Sequence, residues 1–504
     1  VVAPLPSSVL HAMSAVRRFA TIPGPRPLPL LGNSWRFAIG QKPWQTRSLD
    51  VTLWNLRALA GAGGAAKVAK LFGHPDLVFP FCAEEIAKVY RREDSMPHRA
   101  VAPCLKHYKQ ELRKGFFGDE PGLIGVHGTP WSKFRSKVSK ALVAPEAAKA
   151  AVPSLDDVAI DFVGRMEYIM DHNREMPKDF LTELYKWALE SVGAWALGTR
   201  LGCLSEKDND AKEIIKSIHG FFHSVPELEL SAPLWRIYST KAYKTYVDAL
   251  DSFRILCLKR LTDKGVCAEI AKSYGDKIAT ILALDLLLVG VDTTAAAAAS
   301  TMYLLAKNSR AQRKLQKELD NNLPVGRMLN SKYLEQLPYL RACIKEALRK
   351  PILIIMLHIV SQSHIVFPHY IMSNEERYFP NPHDYTPERW LRDKERTDDD
   401  VSSKTFIGNK TNDDICEHAR AILVAKRQRE VGIHPFASLP FGFGRRMCIG
   451  KRFAEVELQL LLAKIFHKYN VSWRYGELTY SVTPTYVPNE PLQFTLDVRK
   501  KLND

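Results

Sequence analysis

The chain has 504 residues, 46% hydrophobic and 25% charged, with 71 basic against 55 acidic side chains and a formal net charge of +16. This is a globular composition, which excludes collagen-like and low-complexity chains, and its eight cysteines, none in a CxxC pair, exclude a zinc ribbon and a disulfide scaffold. The basic excess favours an acidic partner, but no basic run interleaved with aromatics marks a single-strand surface, so no nucleic acid is expected.

Residues 1–49 contain no acid but hold Arg17, Arg18, Arg26, Arg36, Lys42 and Arg47. The stretch SSVLHAMSAVRRFAT is closer to a mitochondrial presequence than to a secretory signal, which needs a longer apolar centre. Residues 1–22 are therefore expected to be a presequence-like tail and 23–504 one domain. Pro23, Pro25, Pro27 and Pro29 make a stiff, extended joint between them. From about 80 to 350, apolar residues recur at three- and four-residue spacing, which predicts helices over 155–171, 179–199, 207–222 and 240–262. Residues 220–240 carry aromatics and prolines that read either as a substrate entrance resting on a membrane or as a packed interhelical loop. The most apolar stretch is 278–306. Asp285 and Asp292 interrupt it, and its longest uncharged run is too short to span a bilayer. A helix apolar on all faces with two acids predicts the buried axis of a large domain. Strand-like runs are few, at 364–373 and 492–498, and 392–431 is a polar, charge-dense surface insertion with one helix near 415–430. The expected fold is a single mainly α domain with small β-sheets around a long central helix.

The motif that carries chemistry is PFGFGRRMCIGKRFAE, residues 440–455. A nucleophilic cysteine wants a base beside it, and this loop has none; taken alone, Cys448 reads as a plain core residue. Its frame of Phe441, Gly444, Arg446 and Gly450 changes that. Glycine lets backbone lie close against a flat ligand. Phe453, Val456, Leu460 and Ala463 at helical intervals put Cys448 at a helix N-terminus, where amides and dipole favour a thiolate. Arg446 offers a fixed cation to a carboxylate. Thiolate, planar approach and carboxylate clamp together describe a haem site, where a thiolate axial ligand favours O–O cleavage.

Other motifs stand upstream. GVDTT, inside the long apolar stretch, sets Asp292 beside Thr293 and Thr294; alone, the acid reads as a cap or bend and the threonines as back-bonded to the helix. KEALR places Glu346 and Arg349 at i, i+3, and PERW supplies Arg389. WSKFR sets Trp131 and Arg135 at i, i+4, within reach of one ligand. Arg341 and Lys345 are likewise at i, i+4, and Lys451 and Arg452 follow the cysteine loop; by themselves both pairs read as solvated faces.

In this order the motifs resemble the cytochrome P-450 superfamily from about residue 23 to the C-terminus, and the cysteine loop resembles its haem-binding signature. The resemblance implies haem b (iron protoporphyrin IX) with Cys448 as the axial thiolate. Phe441, Gly444 and Gly450 would belong to the haem-binding loop, with Arg446, Trp131 and Arg135 toward a propionate. It implies that Asp292 and Thr293 relay protons to dioxygen, and that Glu346, Arg349 and Arg389 form a buried charge network bracing the loop. HPFASLPFGFGRRMCIG and the basic positions Arg341, Lys345, Lys451 and Arg452 resemble the arthropod mitochondrial branch, where such residues dock an acidic ferredoxin. The implied protein is a haem-thiolate monooxygenase, peripherally attached to the matrix side of the mitochondrial inner membrane. It would act on a lipophilic substrate (steroid-like, lipid or xenobiotic) with electrons from a ferredoxin and its NADPH-dependent reductase.

Two departures stand out. Val289 occupies a position where the family usually has Ala. Residues 350–366, after Arg349, hold no Arg and run almost directly into a strand. Part of the substrate-contacting sheet is therefore expected to be missing, with His358 the nearest stand-in for a basic residue at a propionate. The alternatives are a non-catalytic haem-binding paralogue and a haem-thiolate isomerase that needs no reductase.

Overall fold

The apolar segment around Asp292 folds into one helix, Asp276–Lys307, and the rest of the chain is arranged about it. The computed structural model describes residues 19–28, 33, 49–61, 64–68, 75–93, 96–98, 102–205, 209–230, 233–260, 265–324, 328–350, 356–360, 363–392, 433–482 and 486–500. Among these, the helices of twelve residues or more are α1 (Leu49–Ala60), α2 (Gly128–Val143), α3 (Pro145–Ile169), α4 (Phe180–Ala196), α5 (Asn209–Leu230), α6 (Lys241–Leu258), α7 (Asp276–Lys307), α8 (Ser309–Asn322), α9 (Pro338–Arg349) and α10 (Lys451–Lys468). Local chemistry sets several of their starts. Pro145 and Pro338 open α3 and α9, where a missing N–H costs no hydrogen bond. Thr240 caps α6 by accepting from the Tyr243 N–H at 3.2 Å.

α7 has no polar face. From 281 to 302 every residue is buried except Val289, Gly290 and Thr293. It packs along α4 and against α9 and α10. By length and composition it could cross a bilayer, but its burial makes it the core axis the sequence predicts. Each of its fully buried Leu or Ile side chains contributes about 1.5–3 kcal/mol relative to exposure.

The helices predicted over 155–171, 179–199, 207–222 and 240–262 appear as α3, α4, α5 and α6 with shifted ends. The segment 220–240 needs correction. Its first half continues α5, and Phe221 and Phe222 are buried; among the described residues after α5, a turn at Leu234–Arg236 is followed by the exposed Ile237 and Tyr238.

One four-stranded sheet is built from β1 (Ala65–Val68), β2 (Asp76–Pro80), β3 (Met356–Val360) and β4 (Ser363–Phe367), in the order β1-β2-β4-β3. β2 and β4 run parallel, and the two outer pairings are antiparallel. The short run after Arg349 thus still supplies a hairpin, with His358 opposite Ile365 on β3. The strand predicted over 364–373 stops at Phe367. Pro368 cannot donate to a ladder, and a short helix, His369–Ser373, follows it. The strand predicted over 492–498 narrows to Thr495–Val498, paired with Tyr469–Ser472. The tail through residue 18 and the insertion beyond residue 392, with its helix near 415–430, lie outside the described residues.

Candidate functional site

The cysteine loop folds back on its own backbone. The Cys448 N–H donates to the Phe441 carbonyl at 2.9 Å. Gly444 holds φ at 75°, a left-handed value that side chains resist, and a Cβ there would come within 3.1 Å of Glu93. Gly450 differs: its φ is −87°, and a Cβ would meet nothing within 4 Å. Glycine at 450 therefore answers to open space beside Cys448 and not to backbone strain. Tyr90, Phe436 and Phe443 back the loop as an aromatic cluster, with centroids 4.8 to 5.7 Å apart.

Cys448 is exposed by surface area, yet burial pushes its thiol up. The two observations agree when the sulfur faces a space enclosed by protein. Opposing the burial are a hydrogen bond from the Gly450 N–H and the positive charge of Arg135. Arg135 is anchored to the same loop, donating Nη2 to the Met447 carbonyl at 3.0 Å. Arg446 donates to the carbonyls of Pro97 (2.7 Å) and Val126 (2.8 Å), and its guanidinium lies 3.9 Å from the Trp131 ring centre. That is close cation–π contact. His98 and His127 stack nearby at 4.3 Å, and burial, followed by the charges of His98 and Arg446, pushes His127 down to about 3. The structure therefore brings Arg446 to Trp131 and Arg135 to the cysteine loop. An accessible thiol in an enclosed space, a missing side chain at Gly450 and cations on both flanks fit a thiolate-ligated haem and its propionates.

At the centre of α7, Asp292 and Thr293 point apart, as adjacent helical residues must. Thr293 back-bonds to the Val289 carbonyl at 2.9 Å, and these two, four residues apart, lie on the accessible stretch of the helix. Asp292 is 2% exposed and turned toward α4, where it accepts a hydrogen bond from the Tyr185 hydroxyl. Sequence reasoning missed Tyr185, because nothing in α4 marks it.

The Glu346, Arg349 and Arg389 side chains meet. Glu346 is 0% exposed and binds Arg349 through both oxygens at 2.8 and 3.0 Å, and Arg389 at 3.0 Å. Trp390 adds its indole N–H at 2.8 Å, a partner readable from PERW. Arg349 goes on to the carbonyls of Ser373 (2.5 Å) and Pro382 (2.8 Å). Burial alone would raise the Glu346 carboxyl, but the Arg349 hydrogen bond and both arginine charges hold it below the usual carboxylate range. At Arg389 the balance reverses: burial, with like-charged Arg349 nearby, outweighs the attraction of Glu346 and lowers it. A guanidinium stays charged regardless.

On one face of the fold, a cleft of ≈ 380 Å³ lies between α9, the cysteine loop and the start of α10. Arg341, Lys345 and Lys451 line it, with Glu455 among them. Arg452 is exposed on the same turn of α10 but outside the cleft. Lys345 is pushed down first by burial, then against the pull of Glu455 by Arg341, Lys451 and Arg392. Glu455 in the cleft and the nearby charge of Arg392 are features the sequence did not single out.

The family model described as "Cytochrome P-450" matches residues 106–493. A Drosophila melanogaster protein named "Probable cytochrome P-450 49a1" is 47% identical over 96% of this chain and 84% of its own length. Another from the same organism, "Probable cytochrome P-450 301a1, mitochondrial", is 35% identical over 94% and 86%. Among solved structures, the heme domain of a mutant cytochrome P-450DA superposes with a TM-score of 0.68 at 18% identity, covering 95% of this chain and 97% of that one. That likeness speaks to the fold alone.

Proposed function

The chain belongs to the cytochrome P-450 family of haem-thiolate monooxygenases, and from that membership we propose that it inserts oxygen into a lipophilic substrate with electrons from a mitochondrial ferredoxin and its NADPH-dependent reductase. The observation that carries the reading is Cys448, an accessible thiol in a protein-enclosed space with the Gly450 N–H directed at it and the positive charge of Arg135 nearby. When bound, the haem supplies the oxygen-activating and oxidising chemistry. The chain's own residues hold and place it. Cys448 would be its thiolate ligand. Arg446, Arg135 and Trp131 would hold its propionate side, and Phe441, Gly444 and Gly450 shape the loop. Thr293 holds a proton at Oγ1 on the accessible stretch of α7, and Asp292 supplies protons from behind it. Glu346, Arg349 and Arg389 keep the loop in register. Val289 and Gly290 leave the accessible stretch beside Thr293 apolar, which suits a lipophilic substrate.

Arg341, Lys345 and Lys451 at the cleft, with Arg452 beside it, form the docking face for an acidic ferredoxin. Several relatives carry "mitochondrial" in their names, and the acid-free N-terminus agrees with the matrix side of the inner membrane. Ile237 and Tyr238, 80% and 57% exposed beside Arg236 and Lys241, are the contact with that membrane. The joined charge network and the Asp292–Thr293 pair weigh against a degenerate paralogue and against an isomerase, which needs no proton relay.

The test is the carbon monoxide difference spectrum of the reduced protein. A Soret band at the thiolate-ligated position is expected, and it should vanish in Cys448→Ala; purified protein without haem would end the reading. Turnover that persists without oxygen or ferredoxin would favour the isomerase.

A further inference from the structure

Asp292 is only 2% exposed at the middle of the core helix, out of reach of bulk solvent. A carboxyl that gives up protons repeatedly has to be resupplied, and it accepts a hydrogen bond from the Tyr185 hydroxyl. Tyr185 is itself 3% exposed. On its far side the phenol ring meets His219 of α5 edge-on, with centroids 4.4 Å apart. The Nε2 of His219 is buried with no hydrogen-bond partner, a costly state unless the atom serves something else. One turn further along α5, His223 lies 6.2 Å from His219 by ring centroids and is exposed. These four residues make a continuous file of proton-bearing groups from solvent, through α5 and α4, to α7.

The geometry points to Tyr185 and His219 as the proton-supply route to Asp292, entered from solvent at His223. The inference rests on the reading of Asp292 as a proton donor. In each delivery the phenol hands its proton to the Asp292 carboxylate and takes one from the His219 side, so Tyr185 is neutral before and after. His219 receives at one ring nitrogen and gives from the other. Contact between the two rings means this exchange needs only a side-chain rotation or a single bridging water. Burial favours the exchange at both residues. It holds the phenol protonated and pushes His219 down to about 4, so that the imidazole stays neutral and retains an acceptor nitrogen. The charged groups around the route are few. Glu490, beyond the last short hairpin, approaches Tyr185, while Glu183 and Lys186 on α4 itself pair at 2.6 Å. By this assignment Tyr185 and His219 are positioning and supply residues, because they act through Asp292.

The experiment uses the full-length holoprotein with ferredoxin, its reductase and NADPH. Oxygen consumption is measured in H2O and D2O for Tyr185→Phe, His219→Leu, Asp292→Asn and the Tyr185→Phe/Asp292→Asn double variant. Both supply variants should slow consumption on the order of tenfold and enlarge the solvent isotope effect, with the carbon monoxide band intact. The double variant should be no slower than Asp292→Asn alone. Independently of turnover, urea midpoints of the two single variants and the double variant should be non-additive, which reports the Tyr185–Asp292 hydrogen bond. If Asp292→Asn enlarges the isotope effect while Tyr185→Phe and His219→Leu leave it at the wild-type value, protons reach Asp292 another way and the route is wrong. If Asp292→Asn itself changes nothing, the reading of Asp292 falls and the route with it. If Tyr185→Phe loses its haem, His219→Leu on the outer side decides.

Discussion

Glu346 has four side-chain hydrogen bonds and no solvent, so its charge is worth keeping only while its partners stay. Replacing it with Ala leaves Arg349 and Arg389 buried and unpaired, and the stability loss should be about 3–5 kcal/mol by urea unfolding. Its pH signature has a definite sign. The folded carboxyl sits below its ordinary value of 4.5, so its contribution is complete above that value and fades as pH falls through the lower, folded one. Glu346→Gln should therefore flatten the acid limb of stability measured below pH 4.5; an unchanged limb would mean other carboxyls set it. Cys448, Arg446, Glu346 and Arg349 were legible because their spacing within a few residues carries the chemistry. Tyr185 and His127 were not, because each acquires its partner only when distant helices pack.

Between elements, two buried acids sit within the apolar packing. Glu457 of α10 faces Ser191 of α4, but neither side chain makes a hydrogen bond of standard geometry, and burial raises the carboxyl far above its ordinary value. A raised folded value stabilises only at low pH and becomes a penalty as pH rises. Glu457→Gln should thus raise the urea midpoint at about pH 8 and lose that advantage toward pH 4.5, the ordinary value of the carboxyl. The second acid is Asp285 of α7, 4% exposed, which pairs with Lys109 at 2.7 Å and accepts from the Leu123 N–H at 2.6 Å. It ties the segment before α2 to the core axis. Lys109→Met should cost about 3–5 kcal/mol, because it leaves a buried carboxylate without its ion-pair partner; a loss under about 1 kcal/mol would show that the pair does not hold the segment to the core axis. The sequence placed Asp285 inside the apolar helix but could not show this pairing, since periodicity locates a helix without naming its neighbours. The same limit explains the strand overrun at 364–373: the apolar run continues past Phe367, while Pro368 ends the ladder.

For the molecule as a whole, the net charge of +16 includes Arg341, Lys345 and Lys451, which meet at the cleft proposed to dock an acidic ferredoxin. Reversing Arg341 and Lys345 to Glu should weaken ferredoxin binding and reduce its salt dependence while leaving the carbon monoxide band unchanged. Equal affinity at every ionic strength would remove the docking face. The four-stranded sheet has a different consequence, one of timing. β2 is paired in parallel with β4, so residues 76–78 wait for residues 363–365. A nascent chain emerges from its N-terminus, and every helix from α2 to α9 is made before that strand finds its neighbour. Until then β2 carries an open edge, available to other chains at the same stage. Pairing over so long a separation is slow. The helices from α2 to α9 are thus made before the sheet can close, while α10 and the pairing of Tyr469–Ser472 with Thr495–Val498 come later still, so a chain truncated before residue 363 should keep helix but aggregate through its N-terminal strands.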